Sequence, residues 1–351
     1  MAYKKGKGKM ARKFKKIEPA VQTLTLATPS VAGGSTGIFY CDLSQIASLV
    51  NRRFYRQGIN WAVSGIKILS GGDGSLFVSK LPDTWVMSNA WEKGFRSWQR
   101  MNNEALEETP SVRPRFLDYK IYADAHHHNK GFAANLLPQT LNVTPLGATT
   151  VVSATVGEWE SSKMVIPKTD GTDDTNSREI IAVGSSYPGA SPVTTLNAVS
   201  LIEGYAASRG LPNIEDPNAP ADAQDASGTA PENWMVATFN EGTEQDGVVL
   251  TDMVTENNIA PYPFENDGIN LDTMYPNGAN QAAGLQVHDY RPYSATTLGG
   301  QVNFKGGMFP CGLMRVSHAV STGAVSHNLV IQIDLVPGSH RGYLCEPMTD
   351  M

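Results

Sequence analysis

Apolar and polar residues alternate in short runs along most of the chain, and glycine- and proline-rich text rather than helical text separates the runs. Two-residue periodicity or β-branched enrichment marks residues 21–27, 37–43, 61–69, 75–81, 115–123, 149–156, 179–183, 234–239 and 328–336. Strands joined by turns, without regular helices between them, predict an all-β fold, an antiparallel sandwich or barrel. The segment SGGDGS (70–75) reads as a hairpin turn between two of these strands. No helix and no Gly-Lys-Ser/Thr follows it, so it is not a phosphate loop.

Two segments depart from the strand period. LSQIASLVNRRF (43–54) places Leu43, Ile46, Leu49 and Val50 on one helical face, with Asp42 or Ser44 as its cap. MSNAWEKGFRSWQRMNNEAL (87–106) sets Trp91, Phe95 and Trp98 at helical spacing, with Lys93, Arg96 and Arg100 between them. That stripe reads as core rather than as a platform for stacking bases. Near the C-terminus VSHAVSTGAVSHNLV (316–330) is nearly palindromic about Thr322 and Gly323. The symmetry predicts a tight hairpin with His318 opposite His327, as a plain cross-strand contact rather than the less favoured metal-ligand pair.

At 351 residues and 41% apolar the chain can bury a sizeable core. It contains no apolar run long enough to span a membrane and no secretory h-region, so a soluble protein without a signal peptide is expected. Cys41, Cys311 and Cys345 are odd in number, far apart and without metal-ligand spacing, as buried thiols in a reducing compartment would be.

Charge changes the picture most. Residues 1–16 hold eight cations, Lys4, Lys5, Lys7, Lys9, Arg12, Lys13, Lys15 and Lys16, and no carboxylate, although the whole chain carries -6. Residues 1–17 therefore read as a disordered arm that a polyanion neutralises, and 18–351 as the folded body. From Gly210 to Tyr290 there is no Lys or Arg but 14 Asp and Glu, in turn-rich text. A region of about 205–290 reads as acidic surface loops on the exterior, away from bound nucleic acid. Lysine meets phosphate as a point charge, so binding by the arm is expected to be independent of sequence. Arg52, Arg53 and Arg56 extend the same electropositive surface into the body, and the arm also has the composition of a nuclear localisation signal.

Catalytic motifs are absent: no G-x-S-x-G, H-E-x-x-H, Walker or dinucleotide fingerprint occurs. No catalytic residue, cofactor or metal is expected. The nearest approach to a metal site is Asp124, His126 and His128, which share one face if the preceding strand continues through them. Asp170, Asp173 and Asp174 lack the ligand order of a calcium loop, and Asn142-Val143-Thr144 has the form of a glycosylation sequon that stays unmodified without a secretory route.

The arm, FYCDLSQIASLVNRRFYRQGINWAVSGIKILS (39–70), WVMSNAWEKGFRSWQRMNNEA with PRFLDYKIYADAHHH after it, and GGMFPCGLMRV carry a family likeness. Over roughly residues 1–140 and 298–337 the chain resembles capsid proteins of small circular single-stranded DNA viruses, the circovirus-like and smacovirus-like groups. Its arm is rich in Lys and Gly where circovirus arms are rich in Arg. The resemblance implies a single jelly roll with one or two short helices, self-assembly into an icosahedral shell and a single-stranded DNA genome packaged by the arm. It also implies residence in the virion, with assembly in the host nucleus. Two other classes share parts of this pattern: a non-viral nucleic-acid-binding protein, and a cupin-like metal-dependent jelly-roll enzyme built on the histidines at 126 and 128.

Overall fold

In the computed structural model of the chain, the described residues are 19–107, 118–143, 149–167, 175–186, 197–209, 284–294, 296 and 300–350. The eight arm cations, Asp170, Asp173 and Asp174, Thr144 of the sequon, the 234–239 run and most of the acidic region lie outside them. The chain runs β1 (Thr23–Ala27), β2 (Thr36–Asp42), α1 (Leu43–Asn51), β3 (Ile59–Ser70) and β4 (Gly74–Lys80). It continues through α2 (Trp85–Glu107), α3 (Ala125–Lys130), β5 (Gln139–Val143), β6 (Thr149–Ser153), β7 (Lys163–Pro167), β8 (Thr175–Ile181), β9 (Ala198–Ser200) and α4 (Leu201–Arg209). After β10 (Gln286–Tyr293), β11 (Gln301–Phe309), β12 (Leu313–Val320) and β13 (Leu329–Leu335) come the short β14 (Pro337–Gly338), β15 (Gly342–Tyr343) and β16 (Cys345–Pro347).

Two antiparallel sheets form the centre. One has the order β1-β13-β3-β11, with β16 also paired to β3, and the other β10-β4-β12-β2. Every link among these eight strands crosses from one sheet to the other except β4 to β10, whose strands pair directly. Strict alternation makes this packing work. In β13, Leu329, Ile331, Ile333 and Leu335 are buried, and in β12, Met314, Val316, His318 and Val320. All of these except His318 and Val320 meet Leu24, Leu26, Ile66, Ile68, Leu76, Val78 and Phe304 in one core shared by both sheets. Each fully buried Leu, Ile or Val contributes roughly 1.5–3 kcal/mol.

The described residues between β4 and β10 form an excursion from this centre, apart from Leu136 and Pro138, which return to it. Its core joins the buried face of α2, Val86, Met87, Ala90 and Trp91, to Tyr119, Leu201, Ile202 and Tyr205 and to the β7-β8-β9 sheet. Phe95 stacks on Trp91, and Trp98 packs on Phe95 and Tyr119, so the aromatic stripe is core as read.

Several expectations need correction. The helices are four among the described residues, and α2, at 23 residues, is not short. The sheets are not wholly antiparallel, because β8 and β9 pair in parallel. The 115–123 strand does not form in its described part: residues 118–121 have no regular structure and Tyr122 makes one bridge to Ile181. The acidic 205–290 region is not loop at its ends, which are the close of α4 and most of β10. The palindrome is not a tight hairpin either. β12 and β13 belong to different sheets, and residues 321–328 carry the chain across the sandwich.

Asp42 fixes the corner where sandwich and excursion meet. Fully buried, it caps α1 by accepting from Ser44 N and Gln45 N at 2.9 and 3.2 Å. Its second oxygen accepts from Gln57 Nε2 and Trp159 Nε1 at 3.0 and 3.1 Å. Gln57 in turn brackets the Ile121 backbone, accepting from its N–H at 2.6 Å and donating to its carbonyl at 3.1 Å. Burial pushes the Asp42 carboxyl up to about 6 against the pull of those four donors.

The folded chain thus holds the Asp42 proton more tightly than the unfolded chain. Its contribution favours folding below about pH 4 and falls, by about 3 kcal/mol, as pH rises through 6. Urea titrations of the full-length protein between pH 4 and 7 should show this decline and its loss in Asp42→Asn. Asp42→Ala strands four buried donors and is expected to cost about 2–4 kcal/mol at pH 7; a pH slope that survives in Asp42→Asn would assign it to another group.

Candidate nucleic-acid interface

Residues 19–21, which follow the basic segment, are held at the end of α1. That helix stops at Arg52, which adopts a left-handed conformation (φ 54°, ψ 39°). Asn51, the last helical residue, holds Val21: its Oδ1 accepts from Val21 N at 3.0 Å. Its Nδ2 donates to Ala47 O at 2.9 Å and to the Tyr343 hydroxyl at 2.7 Å. The same hydroxyl donates to Val21 O at 2.6 Å, and burial pushes its pKa up to about 12, so it keeps its proton at any physiological pH. Arg53 Nη1 donates to Pro19 O at 3.3 Å. Residues 19–21 are therefore strapped to the body immediately after the basic arm.

Arginines surround this strap. Arg52 and Arg56 are exposed, and so is Arg341, whose guanidinium donates to Phe54 O while its carbonyl accepts from the Tyr55 hydroxyl at 3.0 Å. His340, beside them, has its pKa lowered by burial first and then by the charges of Arg341 and Arg56. Arg56 also acts on Asp118, which is paired with Lys120, so one carboxylate tempers the patch. Arg53 reaches Pro19, and Arg56 and Arg341 are both close enough to His340 to act on it through charge. Arg341 was missed, because only folding carries it across 285 positions to residues 53–56.

The histidine run arranges differently from the expected face. Asp124 is the N-cap of α3, accepting from His127 N at 2.8 Å, and it also accepts from the Tyr40 hydroxyl at 2.7 Å and from Arg315 at 3.1 Å. His126 Nδ1 lies 3.1 Å from the Tyr40 hydroxyl. His128 Nε2 contacts Glu179 at 2.6 Å, an ion-pair contact without hydrogen-bond alignment. Residues two apart on a helix point to opposite sides, whereas on a strand they share a face, and this separates His126 from His128. His127, between them, is core: Ala123 N donates to its Nδ1, its Nε2 reaches Asn135 Oδ1 at 2.8 Å, and burial lowers it to about 4. Asp124, His126 and His128 do not form a metal site. Among the described residues no three His, Cys, Asp or Glu side chains converge to hold an ion. Cys41 and Cys311 are buried free thiols, Cys345 is partly buried, and burial raises all three pKa values.

No family model, curated protein or solved structure matches the chain. Among the described residues no helix is long and apolar enough to cross a membrane.

If Arg52, Arg56 and Arg341 each neutralise one phosphate, changing any one to Ala lowers the log–log salt slope of single-strand binding by about 0.7. The loss is expected to be equal for unrelated oligonucleotides, as fluorescence anisotropy at several salt concentrations would read. An unchanged slope in all three variants would remove the patch from the interface.

Proposed function

We propose that the chain is the capsid protein of a small circular single-stranded DNA virus, which builds an icosahedral shell from copies of itself and packages the genome with its basic arm. The strand order carries the reading. Eight strands in two sheets, β1-β13-β3-β11 and β10-β4-β12-β2, with links that alternate between sheets, have the connectivity of a jelly roll, an architecture that capsids share with lectins and cupins. Fold alone does not choose among these. The choice rests on the eight-cation arm and on its attachment beside Arg52, Arg53, Arg56 and Arg341. The cupin-like enzyme loses its support with the divergence of Asp124, His126 and His128. On the capsid reading the protein resides in the virion, and the arm doubles as a nuclear address.

Electron microscopy of the purified full-length protein is the direct test, with closed shells expected. Removing residues 1–16 is expected to leave a body with a cooperative melt and particles without nucleic acid, because the arm has almost no apolar surface to contribute to folding. A peptide of residues 1–16 engaging all eight cations should bind single strands with a salt slope of about -5.6. Absence of shells under every assembly condition, or full packaging by the shortened chain, would overturn the proposal.

A further inference from the structure

A second cluster, at the end of the sandwich where β10 closes and the 321–328 crossing begins, has no part in the arm's attachment. Tyr293 ends β10, His318 lies in β12, and His327 precedes β13 with its backbone bridged to Val31. The Tyr293 hydroxyl is 2.5 Å from His318 Nε2 and 2.6 Å from His327 Nε2, and the two Nε2 atoms are 3.3 Å apart.

One hydrogen-bond pattern fits the facing atoms, His318 Nε2–H to the phenol oxygen and the phenol O–H to His327 Nε2, and it leaves only His318 Nδ1 without a partner. The Val325 carbonyl can only accept, so His327 Nδ1, 2.9 Å away, carries the ring hydrogen and a neutral His327 presents a bare Nε2. Tyr293 has one hydroxyl hydrogen to give. His318 is fully buried and its Nδ1 has no hydrogen-bond partner, so one of its nitrogens is unsatisfied in either tautomer. A separation of 3.3 Å is also longer than an ordinary nitrogen hydrogen bond of about 2.9–3.0 Å.

The same geometry suits an ion. Two imidazoles about 2.0–2.1 Å from one tetrahedral zinc hold their nitrogens about 3.3 Å apart and their ring centres about 5.2 Å apart. Here the values are 3.3 and 5.0 Å. The Nδ1 bond of His327 to a backbone carbonyl is the outer contact that fixes a ligating tautomer. Room for the cluster is made by glycine: a Cβ on Gly72 would lie 2.4 Å from the His327 ring, and one on Gly74 2.7 Å from the Tyr293 hydroxyl. The Ser70 side chain hydrogen-bonds that hydroxyl, and Asp73 acts on it through charge.

We propose that His318 Nε2, His327 Nε2 and the Tyr293 phenol oxygen bind one divalent transition ion of the zinc class, pinning the 321–328 crossing to β10 and β12. Binding breaks the phenol O–H bond, passes its proton to solvent, and moves the oxygen out from its present short contacts to ligand spacing. The inference does not depend on the capsid reading.

The test uses full-length protein stripped with a chelator and titrated with zinc chloride. About one equivalent per chain should bind with release of protons, and cobalt(II) in its place should give the visible bands of a tetrahedral site. His327→Gln and His318→Gln are each expected to weaken uptake by at least the about 10–100-fold that loss of even an outer partner costs. Tyr293→Phe should weaken it and diminish the proton release. His128→Gln, in the other histidine cluster, should bind as the parent does. Should the buried His318 variant fail to fold, the partly exposed His327 decides alone. No saturable uptake, or uptake unaffected in a folded His327→Gln, overturns the proposal.

Discussion

A buried carboxylate with four N–H donors sets the geometry on which the rest of the molecule depends. Asp42 is the last residue of β2, the cap of α1 and, through Trp159 and Gln57, the anchor of the excursion that leaves β4 and returns at β10. Isolated burial of a carboxylate is costly, and the donors offset that cost only if all of them arrive at once. The consequence is cooperative: sandwich, helix and excursion are correct together or the carboxylate is uncompensated. Trp61, whose indole donates to Ser44 Oγ at 3.0 Å while Ser44 donates to Arg56 O, extends the same corner into the main core.

That corner also decides where the positive charge sits. α1 starts at Asp42 and runs 9 residues before the left-handed turn at Arg52, so its length delivers Arg52, Arg53 and Arg56 to the side on which residues 19–21 are strapped. Outside the arm the chain is acidic, with 20 Lys and Arg left against 34 Asp and Glu. A fold that gathers arginines beside residues 19–21 concentrates positive charge there despite that excess.

How much of this was legible varies with the range of the interaction that decides each element. β1 to β4 and β13 could be read within a residue or two because local alternation and turn text specify them, and Asp42 as a cap is a local signal too. β10 and β11 were missed. QVHDYRPY is polar with an internal proline and QVNFKGGMF carries paired glycines, and both become strands only by pairing with β4 and β3. Only a strand continued from RFLDYKIYA through ADAHHH would put His126 and His128 on one face; Asp124, three residues before His127, is instead the cap of a helix. The palindrome at 316–330 placed His318 near His327 for the wrong reason: the rings meet across the edge of two sheets, not across a hairpin. Of the charged patch, Arg52, Arg53 and Arg56 lie in one readable run, while Arg341 joins them through a contact that no local pattern encodes.

The division between lysine and arginine follows from what each position must do. Inside the body, arginine guanidinium groups bind backbone carbonyls, Arg53 to Pro19 and Arg341 to Phe54, with a planar fork that holds one orientation. A charge fixed in this way orders the root of the arm and still presents donors to solvent. Along residues 1–16 seven of the eight cations are lysine, interspersed with Gly6 and Gly8, which favours a compact charge on a freely rotating stem. Extended, such a segment reaches roughly 55 Å from its strap. On the proposed reading, a rigid arginine base under a flexible lysine tip lets one chain engage phosphates over that whole radius without selecting their sequence.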